Sequence, residues 1–255
     1  MATTAAWLEY FQRNRHNVLQ LERGVHRLTG EERTRIARSI QSFQIGEASE
    51  GRRLRALAER YGRRVADPHY AEVIVLLIRE ENRHSAYLKH FMDAEDIPLA
   101  CRRTTDRVFR WLRGLCGLEL AIRVLVTAEL VALTYYAALA RATTHPGLAR
   151  ICARMLEEER VHVQFQMQQI RRMNAGRSPL TRAIADLGHA VLLAGTLVAV
   201  WIEHRPVLRV CHSFGDFFAA VWRDFRSALR SRDPRGVVDT FGRTGRSVDL
   251  SRPSD

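Results

Sequence analysis

Apolar residues recur every three or four positions along most of the chain, a spacing that is typical of helices that bury one face. Capping signals divide this pattern: a capping box at residues 29–32, and an N-cap followed by proline at 67–68 and 178–179. The sequence therefore predicts an all-α fold. The predicted helices lie within residues 1–30 and over about 31–64, 67–94, 117–143, 145–174, 178–204 and 213–230, with a short crossover helix over 105–115.

These helices divide the chain into four parts. Residues 1–30 contain an N-terminal helix that covers one side of the fold, and residues 31–176 contain four bundle helices. Residues 177–231 add two C-terminal helices. Residues 232–255 are rich in Gly, Pro, Ser and charged residues, so this tail is expected to be disordered.

The two C-terminal helices are strongly apolar. The run from Ala190 to Ile202 carries no charge, but its 13 residues fall short of the roughly 20 that a membrane span needs. We expect this helix to be buried against the bundle and to end at Pro206. The helix over 213–230 has an aromatic face, for which docking on the bundle is preferred to a dimer contact or a membrane contact.

The chain is strongly basic, with a formal charge of +12 and a pI near 10.6, and Lys89 is its only lysine. Arginine binds phosphate and carboxylate groups well, so an acidic carrier protein, a nucleic acid or an anionic lipid surface would fit. Biased codon usage explains the composition equally well. Of these partners, nucleic acid is not expected and a peripheral membrane contact is not favoured.

The cysteines show neither a C-x-x-C motif nor a disulfide-like spacing, and the N-terminus lacks a signal segment. A reduced, cytoplasmic location is therefore predicted. The cysteines are Cys101, Cys116, Cys152 and Cys211.

Two short segments carry the candidate chemistry. Glu81 with His84, and Glu159 with His162, are the only two Glu-x-x-His pairs in the sequence, and each lies in a predicted helix. Because helical positions three apart share a face, the carboxylate and the imidazole of each pair can bind one ion.

Each pair follows, by roughly thirty residues, a lone glutamate in an apolar helical stripe: Glu47 before the first pair and Glu129 before the second. At about 100° per residue, each of the four glutamates lies on the same helical face as the predicted core residues of its helix. Burying an unpaired carboxylate costs several kcal/mol, and four that converge need a cation between them. The sequence therefore predicts a metal site. Oxygen and imidazole donors suit iron or manganese, with zinc as an alternative.

Other residues near the motifs are interpreted as structural. Gly46 and Gly51 flank Glu47 and would allow close packing or a local bulge, and Glu50 is a flanking residue rather than a ligand. Three glutamates are placed on the solvated side of their helices, and four histidines lack a partner at ligand spacing. These residues are Glu80, Glu157 and Glu158, and His90, His189, His204 and His212.

The order Glu, Glu-x-x-His, Glu, Glu-x-x-His across four helices resembles the ferritin-like di-iron carboxylate superfamily, and the resemblance covers about residues 31–174. It implies an antiparallel four-helix bundle with two metal ions between the helices. Glu81 and Glu159 would bridge the ions, and one terminal carboxylate and one imidazole would complete each. The implied ligands are Glu47, Glu81, His84, Glu129, Glu159 and His162.

Within that superfamily, residues 80–84 look like the corresponding segment of the acyl carrier protein desaturases, and a basic surface would suit an acidic carrier. Bacterioferritins carry a haem-binding Met where this chain has Asn82. The radical subunit of ribonucleotide reductase has Asp and Tyr where this chain has Glu47 and Leu88. Rubrerythrins add a Cys-rich iron site, which the sequence lacks.

The resemblance implies an oxidoreductase in which two iron ions, or a manganese–iron pair, activate dioxygen to oxidise a small organic or acyl substrate. The substrate would enter an apolar channel, free or bound to a carrier, and an external donor would supply electrons. A homodimer is left open. Candidates for the pocket wall lie one or two turns from the ligands, with ordinary packing as the alternative: Phe43, Ala132, Tyr136 and Gln166.

Two other functions fit the same ligands. An iron oxidation and storage protein would need a self-assembling shell, to which a basic chain with a disordered tail is poorly suited. A non-catalytic bundle would keep the carboxylates for a structural metal alone. The two C-terminal helices favour the enzyme, because they can close a substrate channel.

Overall fold

The computed structural model describes residues 2–21, 26–48, 51–100 and 117–230, and this part of the chain contains α-helices and no β-strand. The all-α class predicted from the sequence is therefore confirmed. Glu50, the predicted crossover helix over 105–115 and the tail from residue 232 lie outside the described residues. The helices are α1 (Thr4–Asn14), α2 (Gly30–Glu47), α3 (Arg52–Arg64), α4 (Tyr70–Ala94), α5 (Leu118–Arg141), α6 (Pro146–Asn174), α7 (Pro179–Leu208) and α8 (Phe214–Arg230).

The start of α2 has the capping box that the sequence predicts. The hydroxyl of Thr29 accepts from the backbone N–H of Glu32 at 3.2 Å, and the carboxylate of Glu32 accepts from the backbone N–H of Thr29 at 2.8 Å. Glu32 also accepts from the backbone N–H of Thr144 at 2.5 Å. This contact joins the start of α2 to the turn between α5 and α6.

The helices pack in two groups around a shared interior. α5 and α6 form a hairpin with a short loop, and α2 and α3 lie against α4. α4 also contacts α6, and α3 contacts α5, so the two groups close on each other. Large aliphatic and aromatic side chains fill the space between them, among them Ile36, Ile40, Ile74, Leu77, Tyr135 and Phe165.

The first bundle helix is broken, contrary to the prediction of one helix over 31–64. α2 ends at Glu47, and α3 starts after Gly51, which adopts the left-handed conformation with a φ of 65°. A Cβ atom at Gly51 would lie 2.6 Å from Cδ1 of Ile78 on α4, so only glycine permits this approach. The break makes Glu47 the last residue of its helix.

We expect alanine substitutions at two glycines with a left-handed backbone to lower the free energy of unfolding by different amounts. Gly51→Ala should lower the free energy of unfolding by roughly 2–4 kcal/mol, because it adds a left-handed alanine and an overlap with Ile78. Gly176 has a φ of 83° but open space around it, so Gly176→Ala should cost only about 1–2 kcal/mol. Urea unfolding of both variants measures the difference. Equal costs would show that the contact with Ile78 does not constrain the break.

α1 is shorter than the predicted N-terminal element. It ends at Asn14, and residues 17–21 and 26–29 are not helical. Its buried face covers one side of the fold, as predicted: the rings of Trp7 and Phe11 contact Phe165 of α6 with centroids 5.4 and 5.6 Å away. The indole of Trp7 also donates to Gln168 at 2.8 Å. α1 is thus anchored on the helix that carries the second Glu-x-x-His pair.

α7 continues through Pro206 to Leu208, so the prediction that this proline ends the helix is wrong. Proline lacks the N–H that would bond the carbonyl four residues earlier, but only two residues of α7 follow Pro206, so little of the helix is affected. α7 packs against α2 and α5 through buried residues such as Leu193 and Leu197. α8 packs on α5 and α6, as expected from its aromatic face, and buries Phe217 and Phe225.

The expectation that α7 is buried against the bundle holds for one face only. By length and composition, α5 and α7 are each apolar enough to cross a membrane. The most apolar window of α5 is 72% buried inside the protein, whereas that of α7 is only 22% buried. The apolar character of α5 is therefore explained by the core, but that of α7 is not.

Candidate metal centre

Four helices bring the six predicted ligands to one region of the interior. One residue comes from the end of α2, one from α5, and a Glu-x-x-His pair from each of α4 and α6. The side chain of Glu81 is 13% exposed. The other five are buried: Glu47, His84, Glu129, Glu159 and His162.

The two Glu-x-x-His pairs form the inner part of this cluster. Glu81, His84, Glu159 and His162 each offer one ligand atom, and these four atoms lie within 4.8 Å of one another. His84 Nδ1 lies 3.1 Å from Glu159 Oε1, and His162 Nδ1 lies 2.9 Å from Glu81 Oε1 and 3.2 Å from Glu159 Oε2. This group could hold a metal ion.

The two lone glutamates lie at opposite ends of the inner group. Glu47 Oε2 is 3.9 Å from Nδ1 of His84, and Glu129 Oε2 is 4.0 Å from Nδ1 of His162. Each imidazole therefore has one lone glutamate on its outer side, and Glu159 contacts both imidazoles from between them. The structure brings all six predicted residues to one place.

Three buried atoms of this centre form no hydrogen bond of normal geometry among the described residues, although each lies about 3 Å from another ionisable group: Glu81 Oε1, His84 Nδ1 and Glu159 Oε1. A buried polar atom without a partner costs about 1–3 kcal/mol. A cation between them would satisfy all three at once. Carboxylate oxygens and imidazole nitrogens are donors that iron, manganese and zinc ions accept. The residues present therefore fit a metal centre.

Without a metal ion, the carboxylates at the ends and in the middle differ in protonation. Burial raises the pKa of Glu47 and of Glu129 well above its usual value, and the charges of Glu159 and Glu81 raise both further. Burial also acts to raise the pKa of Glu159, but hydrogen bonds with Glu129 and both histidines outweigh it and hold that pKa far below its usual value. The end carboxyls thus carry protons that a bound cation must displace.

The pKa values of the two motif histidines are shifted in the direction opposite to the one that burial alone would cause. Burial acts to lower the pKa of His84 and of His162, but hydrogen bonds to buried glutamates raise both well above the usual value. The metal-free centre therefore balances its carboxylates with protons on the histidines. Metal binding needs neutral imidazoles, so these protons must also leave.

A glutamate from the opposite helix holds the outer nitrogen of each histidine. Nε2 of His84 on α4 lies 2.7 Å from Glu158 on α6, and Nε2 of His162 on α6 lies 2.9 Å from Glu80 on α4. Glu80 and Glu158 are each 2% exposed, so the prediction that they face solvent is wrong. Because Nε2–H donates to a carboxylate, Nδ1 of each ring is directed at the centre. Such outer partners orient metal-binding histidines.

Polar partners allow these two outer glutamates to be buried. Asn14 of α1 donates to both Glu80 and Glu158 at 2.8 Å. The guanidinium groups of Arg83 and Arg154 lie 2.7 and 2.6 Å from Glu158. Burial alone would raise the pKa of Glu158, but the hydrogen bond to His84 and the charges of the two arginines lower it to about 2. Glu157, by contrast, is exposed as predicted.

The sequence carries a signal for the two outer glutamates. Each stands four positions before a motif histidine, Glu80 before His84 and Glu158 before His162, so the repeated unit is Glu-Glu-x-x-His. The spacing within one helix conceals their role, because each glutamate binds the histidine of the other helix. Asn14 belongs to no motif, and nothing in the sequence marks it.

The outer glutamates predict an effect on metal affinity. Glu158→Gln should weaken metal binding about 10–100-fold, because an amide orients the His84 ring less strongly than a carboxylate does. Glu157→Gln is the matched control, since its side chain is 57% exposed, and it should bind metal like the unmodified protein. Competition with a chromophoric chelator measures both affinities. An unchanged affinity in Glu158→Gln would contradict an orienting role.

A cavity of about 150 Å³ lies on the carboxylate side of the centre. Glu47, Glu81 and Glu129 form part of its wall, and the two motif histidines do not. The rest of the wall comes from α2, α3, α4, α5, α6 and α7 and is mostly apolar. Its apolar residues include Phe43, Leu54, Leu77, Leu125, Ala132 and Val200.

Three of the four predicted pocket residues line this cavity: Phe43, Ala132 and Gln166. The fourth, Tyr136, lies behind the wall, and its hydroxyl donates to Glu47. Gln166 donates to Glu129 Oε1 at 3.1 Å. Each end carboxylate therefore accepts a hydrogen bond from a polar side chain in or behind the cavity wall.

Two of the histidines interpreted as structural are buried and have other partners. His189 lies 3.2 Å from Arg123 and 3.1 Å from Thr127, and burial together with the charge of Arg123 lowers the pKa of His189 to about 3. His204 lies 2.8 Å from Ser39 and forms part of the cavity wall. Both therefore fit a role in packing.

Comparison with known proteins gives no match: no family model, no curated protein sequence and no solved structure corresponds to this chain. The functional interpretation therefore depends on the residues and their geometry.

Proposed function

We propose that this chain is a ferritin-like di-iron oxidase or oxygenase that uses dioxygen to oxidise a small organic or acyl substrate. The observation that carries the proposal is the convergence of four glutamates and two histidines from four helices, in the superfamily's order, on one buried region. The proposed ligands are Glu47, Glu81, His84, Glu129, Glu159 and His162.

The distances support a centre with two metal positions. Glu47 is paired with His84 at one end, and Glu129 with His162 at the other. Glu159 contacts both imidazoles, which suits a bridging carboxylate. We assign Glu81 the same bridging role from the opposite helix.

Iron ions, or a manganese–iron pair, would supply the electrons that reduce dioxygen, and an external donor would restore them. The chain supplies the surroundings. The apolar cavity wall excludes water and positions an apolar substrate against the carboxylates. Burial and the charge of Glu47 hold the pKa of Tyr136 well above its usual value, so this hydroxyl stays protonated and donates a hydrogen bond to Glu47.

The cavity favours an enzyme over a storage protein, because it places a mainly apolar pocket directly against three carboxylates. The chain's basic character would suit a substrate delivered by an acidic carrier. A storage protein would assemble into a shell many times the 29.3 kDa of one chain, which size-exclusion chromatography would detect.

Anaerobic loading with ferrous iron, followed by oxygen, tests the proposal. We expect about two iron ions per chain, rapid oxygen uptake and a change in the near-ultraviolet and visible absorption. Retention of metal without an oxygen reaction would instead support a structural metal site. Failure to bind iron would reject the proposed ligands.

A further inference from the structure

The outer face of α7 is a continuous apolar surface. Its exposed side chains are spaced three, four or seven positions apart along the helix, and each is 47–70% exposed. At about 100° per residue they lie within about 40° of one line along the helix. They are Leu180, Ile184, Leu187, Val191, Val198 and Ile202.

No charged residue interrupts this outer face between Leu180 and Ile202. The charged residues of that stretch of α7 point elsewhere: Asp186 lies 3.1 Å from Arg123 on α5, and Arg182 falls on the opposite side of the helix. Six large apolar side chains in one row exceed what a soluble surface normally exposes in one patch. Such a face is expected to be covered by a partner molecule or a membrane.

Charge and aromatic residues border the outer face. Arg205 and Arg209 continue the same line at its C-terminal end, are exposed, and form no ion pair within the described residues. Along one side, Trp201 contacts Phe214 of α8 with ring centroids 5.6 Å apart, and Phe214 is 40% exposed. Tryptophan and arginine beside an apolar surface are typical of the boundary between lipid and water.

A second copy of the chain fits this face less well. In a parallel two-fold pairing, Arg205 and Arg209 would meet their own copies. In an antiparallel pairing centred on Val191, Arg205 would approach Arg177 of the other copy. The parallel arrangement brings like charges together with no acidic residue on the outer face to offset them, whereas in the antiparallel one Arg177 is already paired with Glu119 at 2.6 Å and offers Arg205 no free acidic partner. An anionic surface meets the same arginines favourably.

We propose that the outer face of α7 lies flat on a membrane that contains anionic lipids. The helix does not cross the membrane, because its other face belongs to the protein interior: Leu193 and Leu197 are buried, and His189 is bonded to Arg123 and Thr127. The same inner face forms part of the cavity wall through Thr196 and Val200. α7 therefore separates the cavity from the lipid by the thickness of one helix.

Vesicle flotation of the full-length, metal-free protein tests this inference. It should bind vesicles of mixed phosphatidylglycerol and phosphatidylcholine. The double variant Leu187→Gln with Val191→Gln should lose at least roughly tenfold in affinity, because two inserted side chains become polar. Arg205→Gln and Arg209→Gln should each lose about fivefold on these vesicles and nothing on pure phosphatidylcholine.

Val65→Gln is the matched control, since Val65 is 40% exposed but lies at the end of α3, and it should bind vesicles normally. Helical content by circular dichroism shows whether each variant folds. Absence of binding would overturn the inference, and so would a double variant that binds like the unmodified protein, because charge alone would then suffice. A dimer without lipid that the double variant breaks would show that a second copy covers the face.

Discussion

Glu129→Gln is expected to leave the metal-free protein folded and to weaken metal binding at least about a hundredfold, beyond the typical cost of losing an outer partner. Burial raises the pKa of Glu129 well above its usual value, so the metal-free protein holds this carboxyl in its protonated form. Glutamine has the same shape as a protonated glutamate. It can still accept from Gln166 and donate to Glu159, but it is a poor ligand for iron.

Two measurements on the same variant distinguish this result from simple misfolding. Thermal unfolding of the metal-free form should match the unmodified protein or exceed it, because no carboxylate needs to be neutralised. Iron titration and oxygen uptake should both fail. Glu157→Gln provides the exposed control. If Glu129→Gln binds two irons and reacts with oxygen, Glu129 is not a ligand.

The stability of the metal-free protein is expected to fall as the pH rises from about 6 to about 8. The pKa values of His84, His162, Glu47 and Glu129 are all raised in the folded protein. A group whose pKa is raised in the folded protein binds its proton more tightly there than in the unfolded chain. Its contribution to the free energy of unfolding is therefore complete at low pH and is lost as the pH rises through the pKa of the folded state. Each titrating group removes about 1.4 kcal/mol per pH unit.

Glu158 and Glu159 act in the opposite direction, because their pKa values are lowered; their contribution is lost in acid, below the usual value of 4.5. The metal-free protein should therefore be most stable in mild acid. Metal ions replace the protons, so the loaded protein should show little or no decline towards pH 8. Melting temperatures across this range, with and without iron, measure the difference. A metal-free form that gains stability with pH would contradict the protonation proposed for the centre.

The main helices follow from the period of the apolar residues, because each buries one face along its length. The break at Gly51 did not follow, since a glycine within a helix costs only about 1 kcal/mol and is compatible with continuity. The left-handed conformation of Gly51, and the close approach of Ile78 from another helix, appear only in the tertiary structure. The extent of α7 was also missed, because a proline two residues before the end of a helix disturbs little of it, and the sequence does not show that the helix continues past Pro206.

The inner part of the site could be predicted because its ligands share helical faces with core residues. The outer part could not, since Glu80 and Glu158 each serve the histidine of the other helix. Sequence spacing records neighbours within one helix but not across two. The outer face of α7 was hidden in the same way: apolar residues occupy both of its sides, and periodicity does not reveal which one meets the protein.

A single amide group, that of Asn14, bonds both outer glutamates. Docking of α1 therefore supports the orientation of both imidazoles, and detachment of this short helix would remove one partner from each outer glutamate at once. Loss of this shared bond should accordingly weaken both of the proposed metal positions together. By reciprocity, a loaded centre holds the N-terminus in place, so slower amide exchange in α1 would report occupancy more than sixty residues away along the chain.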